Sequence, residues 1–138
     1  MRLTTMTTYA VQAMLDLANQ PQGRVVTLRE IAHRQGIKAK YLERIFSKLN
    51  RAGLIKSKKG PGGGYSLKRS VDEIQIGEIM TAVGESSAPV RCLTTEDDNC
   101  CSRKKDCAIR PYWERMQKTI DQFLYSSTLL DIMKAKHK

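Results

Sequence analysis

The sequence predicts a mainly α-helical chain with one small β-hairpin, and three observations carry that prediction. Apolar residues recur at helical spacing through three successive segments between positions 9 and 53. Two of those segments are joined at a glycine, a natural break between short helices. Directly after them, KSKKGPGGGYSL (56–67) packs four of the chain's nine glycines, Gly60, Gly62, Gly63 and Gly64, into five positions. Glycine reaches positive φ and permits close backbone approach, so the cluster reads as a hairpin tip with arms at 54–58 and 65–68 that a large partner lies against.

Taken in order, the first helix shows Ala10, Ala13, Met14, Leu17 and Ala18 on one face from Tyr9 onward and stops at Pro21 and Gly23. Thr27-Leu-Arg-Glu30 has the capping-box form, in which hydroxyl and carboxylate each satisfy an orphan backbone N–H. Leu28, Ile31 and Ala32 then give a second helix its apolar face as far as Gly36. The third helix carries Leu42, Ile45, Phe46 and Leu49 inward and ends at Gly53. Two short helices around a glycine turn, followed at once by a basic hairpin, are the order of a winged helix-turn-helix. Residues 71–83 add a brief helix and the apolar Ile74, Ile76, Ile79, Met80 and Val83.

Beyond Pro111, Trp113, Met116, Ile120, Phe123 and Ser127 recur at spacings of three and four, with Leu124 widening the stripe. That pattern predicts a long C-terminal dimerisation helix, with packing against its own domain as the alternative. The expected organisation is a winged helix-turn-helix DNA-binding domain at 1–83, a cysteine-rich loop at 84–110, and a dimerisation helix with a C-terminal tail at 111–138.

At 138 residues and 41% hydrophobic, the chain can bury a core without disulfides, and no apolar run reaches the ~20 residues of a spanning helix. The start, MRLTTMTTYAV, lacks a signal peptide's apolar core, so the protein is read as cytoplasmic, with reduced cysteines. The net charge of +10 is unevenly placed: residues 1–69 hold 14 Lys+Arg against 3 Asp+Glu, and residues 70–138 hold 10 against 11. All the excess lies on the helix-turn-helix half, which points to duplex DNA as partner. Lys38, Lys40, Arg44, Lys56, Lys58 and Lys59 are the candidates for phosphate neutralisation, and Gly62 and Gly63 for backbone approach. Tyr41, Glu43 and Arg44 are placed to reach base edges, although Glu43 could equally pair with a neighbouring lysine on its own helix.

All four cysteines lie in CLTTEDDNCCSRKKDC, between Cys92 and Cys107. Such polar surroundings do not suit cysteine as a small hydrophobe. Both spacings, C-x7-C-x6-C through Cys100 and C-x8-C-x5-C through Cys101, are wider than the usual structural zinc knuckle. An iron-sulfur cluster, zinc, and metal-free thiol chemistry all stay open on the residues alone. An enzyme is disfavoured, because His33 and His137 are the sole histidines and neither stands near the cysteines in sequence.

The start MRLTTMTTYAVQAMLDLA, the segment QGIKAKYLERIFSKLNRAGLIKSKKGPGGGYSL, the stretch IQIGEIMTAV and the cysteine loop followed by a Tyr-Trp pair resemble the IscR iron-sulfur cluster regulators and their winged-helix relatives, including NsrR and CymR. The resemblance covers nearly the whole chain. It implies a homodimeric transcription regulator, probing a pseudo-palindromic promoter site, whose loop holds an iron-sulfur cluster, 2Fe-2S in IscR and 4Fe-4S in NsrR, with the former favoured here. It further implies Cys92, Cys101 and Cys107 as metal ligands, with Cys100 as substitute or fourth, Tyr41 and Glu43 as DNA-reading positions, and Lys59 where an arginine usually enters the minor groove. Two departures stand out. Arg110 occupies the place of the histidine that completes the IscR cluster, and a guanidinium cannot coordinate iron. Thr7, Thr8 and Gln12 stand where NsrR-like members carry an acid.

Overall fold

The computed structural model describes residues 2–21, 23–94 and 106–135. Its elements run α1 (Thr5–Ala18), α2 (Leu28–Gln35), α3 (Ala39–Arg51), β1 (Ile55–Lys58), β2 (Gly64–Leu67), α4 (Ile76–Ala82), a 3-10 turn at Arg91–Leu93, α5 (Arg110–Ser126) and α6 (Leu129–Ala135). This is the mainly α, winged helix-turn-helix architecture that the sequence predicts.

α1 begins ahead of Tyr9, because Thr4 caps it: its hydroxyl accepts from the Thr7 N–H at 3.2 Å. The Glu85 carboxylate gathers the same end, accepting from the Thr4 N–H at 3.0 Å, from the Thr4 hydroxyl at 2.6 Å and from the buried Thr7 hydroxyl. The capping box of α2 forms as expected, with Thr27 and Glu30 exchanging two hydrogen bonds of 3.1 Å, and Gly36 ends the helix at φ 65°.

Phe46, Met14, Ile31, Leu42, Ile45 and Leu49 are fully buried where α1, α2 and α3 meet. The hairpin closes against them in antiparallel register, Ile55 opposite Leu67 and Lys58 opposite Gly64. Tyr65 rests its ring edge-on to Phe46, with centroids 4.8 Å apart, so the recognition helix α3 and the wing share one packed contact. A one-residue third strand joins them: Val26 pairs with Tyr65 through bonds of 2.9 and 2.7 Å and is itself fully buried.

One buried charge locks the scaffold. Asp16, 5% exposed, receives Arg34 Nε at 3.0 Å, Arg34 Nη2 at 2.6 Å and the Gln35 amide at 2.9 Å, tying α1 to the end of α2. Burial works against its ionisation, yet the Arg34 and Gln35 hydrogen bonds and the Arg34 charge outweigh burial and hold its carboxyl below the usual aspartate range. A depressed folded pKa gives stability that is present above the ordinary carboxylate range and is lost as pH falls through the folded value. Asp16→Ala is therefore expected to cost about 2 kcal/mol at neutral pH, since Arg34 stays half-exposed and can be rehydrated. Urea titrations at pH 7 and pH 3 should show the difference between variant and wild type shrinking in acid.

The C-terminal segment differs from the expected single helix and tail. α5 stops at Ser126, Ser127 turns extended (φ −96°, ψ 135°), and Thr128 opens α6 by exchanging hydrogen bonds with Asp131. The Ser127 carbonyl accepts from Ile76 at 2.9 Å, and Leu129 donates to Ile74 at 3.0 Å. Leu129 is fully buried in the common core, and α6 packs on α1. The cause is local: in Ser126-Ser127-Thr128, the Ser126 and Ser127 hydroxyls both turn back to the Phe123 carbonyl, while Thr128 supplies a new cap. Ser127 is thus outside the helical seam in which its spacing placed it.

Candidate nucleic-acid interface and cysteine loop

α3 turns Lys38, Lys40, Glu43, Arg44 and Arg51 to solvent while its four large apolar residues stay inside. Its N-cap, Lys38, makes no side-chain cap bond, and no acid occupies the first turn, so the helix presents N–H donors and the positive end of its dipole together with two lysines. Tyr41 is half-buried, its ring edge-on to Tyr9 at 5.7 Å, which holds it at the rim of the surface. Among the described residues Glu43 forms no ion pair, so the alternative of a partner lysine on its own helix is not realised. The surface combines phosphate-neutralising cations with an acid that can accept from a base amino group.

Lys56, Lys58 and Lys59 are exposed on the wing, and the glycines beside them divide into two kinds. Gly60 (φ 89°) and Gly62 (φ 75°) have open space where a side chain would stand, but their left-handed backbone suits glycine. Gly63 and Gly64 are constrained from within. A Cβ on Gly63 would collide with the Lys58 carbonyl oxygen and come within 2.7 Å of that of Gly60, and one on Gly64 would collide with the Val26 carbonyl oxygen. Part of the glycine cluster thus lets the wing close on itself and dock on the Val26 strand, rather than serving an outside partner alone. Gly63→Ala is expected to cost about 2–3 kcal/mol by forcing β1 aside. It should weaken DNA binding more than Gly62→Ala, the comparison being electrophoretic titration of both variants.

The two described ends of the cysteine segment are linked through Arg110. Cys92 lies in the Arg91–Leu93 turn and Cys107 just before α5, both half-buried. Arg110 holds the two ends: its main-chain N–H donates to the Cys107 carbonyl at 3.4 Å and its Nη1 to the Cys92 carbonyl at 3.4 Å, while Nε bonds Glu114 at 3.0 Å. The residue at the place of the expected histidine thus meets the Cys92 end with its guanidinium and the Cys107 end with its main chain. Cys100 and Cys101 lie outside the described residues, and among those described no group of three or more metal-binding side chains assembles. The donor set fits a cluster to this extent: two accessible thiols enter at one end of the fold, and the remaining thiols belong to the segment between them.

α5 is anchored by its C-terminal half. The Tyr125 ring lies over Gly77, where a Cβ would come within 2.6 Å of it, its hydroxyl bonds Thr81 at 2.7 Å, and Ser87 donates to Asp121 at 2.5 Å. Trp113, Ile120 and Leu124 are half-buried, whereas Tyr112 (63%), Met116 (40%) and Phe123 (69%) stand out in solvent along one helical face. No helix among the described residues is long and apolar enough to cross a membrane.

A helix-turn-helix, a basic wing and a helix with an uncovered apolar face define a winged-helix DNA-binding regulator. The chain belongs to the Rrf2 family, whose model, described as an iron-dependent transcriptional regulator, matches residues 3–135. Among its relatives, the HTH-type transcriptional regulator IscR of Serratia proteamaculans is 41% identical over 133 residues, covering 96% of this chain and 79% of that one. IscR of Vibrio campbellii is 42% identical over 134 residues, 97% of this chain and 78% of the other. Among solved structures, T. potens IscR superposes with a TM-score of 0.78 at 33% identity, covering 99% of this chain and 88% of that one. CymR, the global cysteine regulator of B. subtilis, gives 0.76 at 29% identity and 98% of both chains. The chain is accordingly an IscR-like transcriptional regulator rather than an enzyme.

Proposed function

We propose that this regulator is a homodimeric repressor of iron-sulfur cluster biogenesis or stress genes, and that Cys92, Cys107 and Cys101, or Cys100 in its place, hold a 2Fe-2S cluster. The observation that carries the reading is the Arg110 clamp, which joins both ends of the cysteine loop to the first turn of α5, the helix whose outer face is free to pair. A cluster held there would tie the thiolates of Cys92, Cys107 and Cys101, or Cys100 in its place, into one unit. Residues of the chain do the rest. Lys38, Lys40, Arg44 and Lys59 neutralise phosphates, Gly62 and the internally packed Gly63 keep the wing backbone slim, and Tyr41 and Glu43 meet base edges. Two-fold pairing along Met116 and Phe123, flanked by Trp113, Ile120 and Leu124, sets two α3 helices on half-sites about one duplex turn apart.

A second reading is favoured by the same arginine. With no histidine at position 110 and a CymR fold likeness, the chain could regulate cysteine metabolism or sense nitric oxide or redox state, with zinc or no metal in the loop. Anaerobic purification with a visible spectrum and counts of iron and acid-labile sulfide separates the two. Brown protein with iron and sulfide in equal amounts, at about two per chain, is the expected result. Colourless protein that stays so after reconstitution, yet still binds DNA, would transfer the assignment to the metal-free or zinc regulator.

A further inference from the structure

A groove of about 780 Å³ runs between the α1–α2 connection and the wing, away from the face that packs on Phe46. Strand alternation decides which side chains reach it. Ile55 is buried and pairs with Leu67, while Lys56 and Lys58, opposite Ser66 and Gly64, stand on the other face, where Lys68 follows two residues after Ser66. Arg24 enters from the α1–α2 connection, held by the Gln20 side chain at 3.1 Å. All four cations are exposed, and among the described residues no Asp or Glu lines the groove. Arg69 also lines it but is spent on Glu78, at 2.8 Å. Among the described residues, none of the four forms an ion pair.

Four exposed cations on one concave face, flanked by serine hydroxyls and free of carboxylates, have the chemistry of a phosphate track. We infer that the outer face of the wing binds the sugar-phosphate backbone of duplex DNA flanking the half-site, through Arg24, Lys56, Lys58 and Lys68. The inference rests on the DNA-binding reading of α3 and extends it. Lys56 and Lys58 then act outside the base-reading contact, and Arg24 and Lys68, which no motif in the sequence singles out, belong to the interface. Duplex DNA is favoured over an acidic protein surface because its phosphates repeat along a continuous backbone, which suits four cations distributed along one groove with no carboxylate among the described residues that line it.

The test uses the full-length chain with Arg24→Gln, Lys56→Gln, Lys58→Gln and Lys68→Gln combined, and a second variant with Arg24→Gln and Lys68→Gln alone. The probes are duplexes bearing a site selected from a random pool, cut either at the site's edges or with a full turn of extra sequence on each side. Wild type is expected to bind the long duplex more tightly and with a steeper salt dependence. The quadruple variant should lose that increment, about three and a half log–log units of salt slope per protomer, and the double variant, which keeps Lys56 and Lys58, should match wild type on the short duplex. The double variant should lose roughly half. Equal slopes for wild type and variants on the long duplex would overturn the flanking track and leave the α3 reading standing. An equal loss on both duplexes would overturn it too, by placing these cations inside the site. Arg44→Ala, which weakens both duplexes alike only if α3 contacts the site, reports separately on that underlying reading.

Discussion

Phe46→Ala is expected to remove about 4 kcal/mol of stability, a large part of what a domain of this size possesses. Phe46 has no exposed surface, is the largest fully buried side chain, and sits where α3 meets the wing through the edge of Tyr65. Truncation removes the ring's own burial and leaves a void in the core that Phe46 shares with Met14, Leu42 and Ile45, or one filled by tilting α3. Since α3 and the hairpin are fixed to each other through this contact, their relative placement on DNA should suffer along with stability. Phe46→Leu, which fills most of the volume, should cost under about 1.5 kcal/mol. Denaturant unfolding with a DNA titration below the transition midpoint measures both effects. A loss below about 1 kcal/mol for the alanine variant would mean that the helix and wing are supported elsewhere.

Met116→Glu with Phe123→Glu is expected to convert the proposed dimer to a monomer and to weaken binding to a two-half-site duplex by about 10²–10⁴-fold. In a two-fold seam each residue faces its own kind or a close neighbour, so each new carboxylate meets another in a desolvated contact. These side chains are 40% and 69% exposed in the isolated chain, so the fold itself should hardly change. Sedimentation equilibrium and an unchanged melting temperature together distinguish lost pairing from lost folding. Half-site binding should be preserved. A variant that remains dimeric would show that copies of the chain pair through another face.

Much of the fold was legible because it depends on neighbours in sequence. The Thr27–Glu30 capping box, the glycine stops at Gly36 and Gly53, and the apolar faces of α2 and α3 each work over three or four residues, the range within which helix chemistry acts. The charge imbalance of the first half needed only counting. By contrast, TTMTT carries no apolar stripe, so the first turn of α1 showed itself only through Thr4 and its acceptor Glu85, far along the chain. Val26 escaped because a single-residue strand has no periodicity, and Asp16 because its partners Arg34 and Gln35 lie a whole helix away. The weak local signal was the serine-threonine run at 126–128, which could have warned that the long apolar pattern would break.

The candidate site divides in the same way. By itself the sequence determined the helix order, the basic wing, the number of thiols available to the loop, and an arginine at position 110, where the family resemblance implies a histidine. The tertiary structure alone decided that Arg110 clamps both ends of that loop, that Gly63 and Gly64 serve the wing's own closure, that α6 turns back into the core, and that four cations share an outer groove. The physical reason is range. Caps, turns and amphipathic faces are settled by torsions and burial within one or two turns of chain, whereas these other features depend on which distant backbone and charge arrive at the same place.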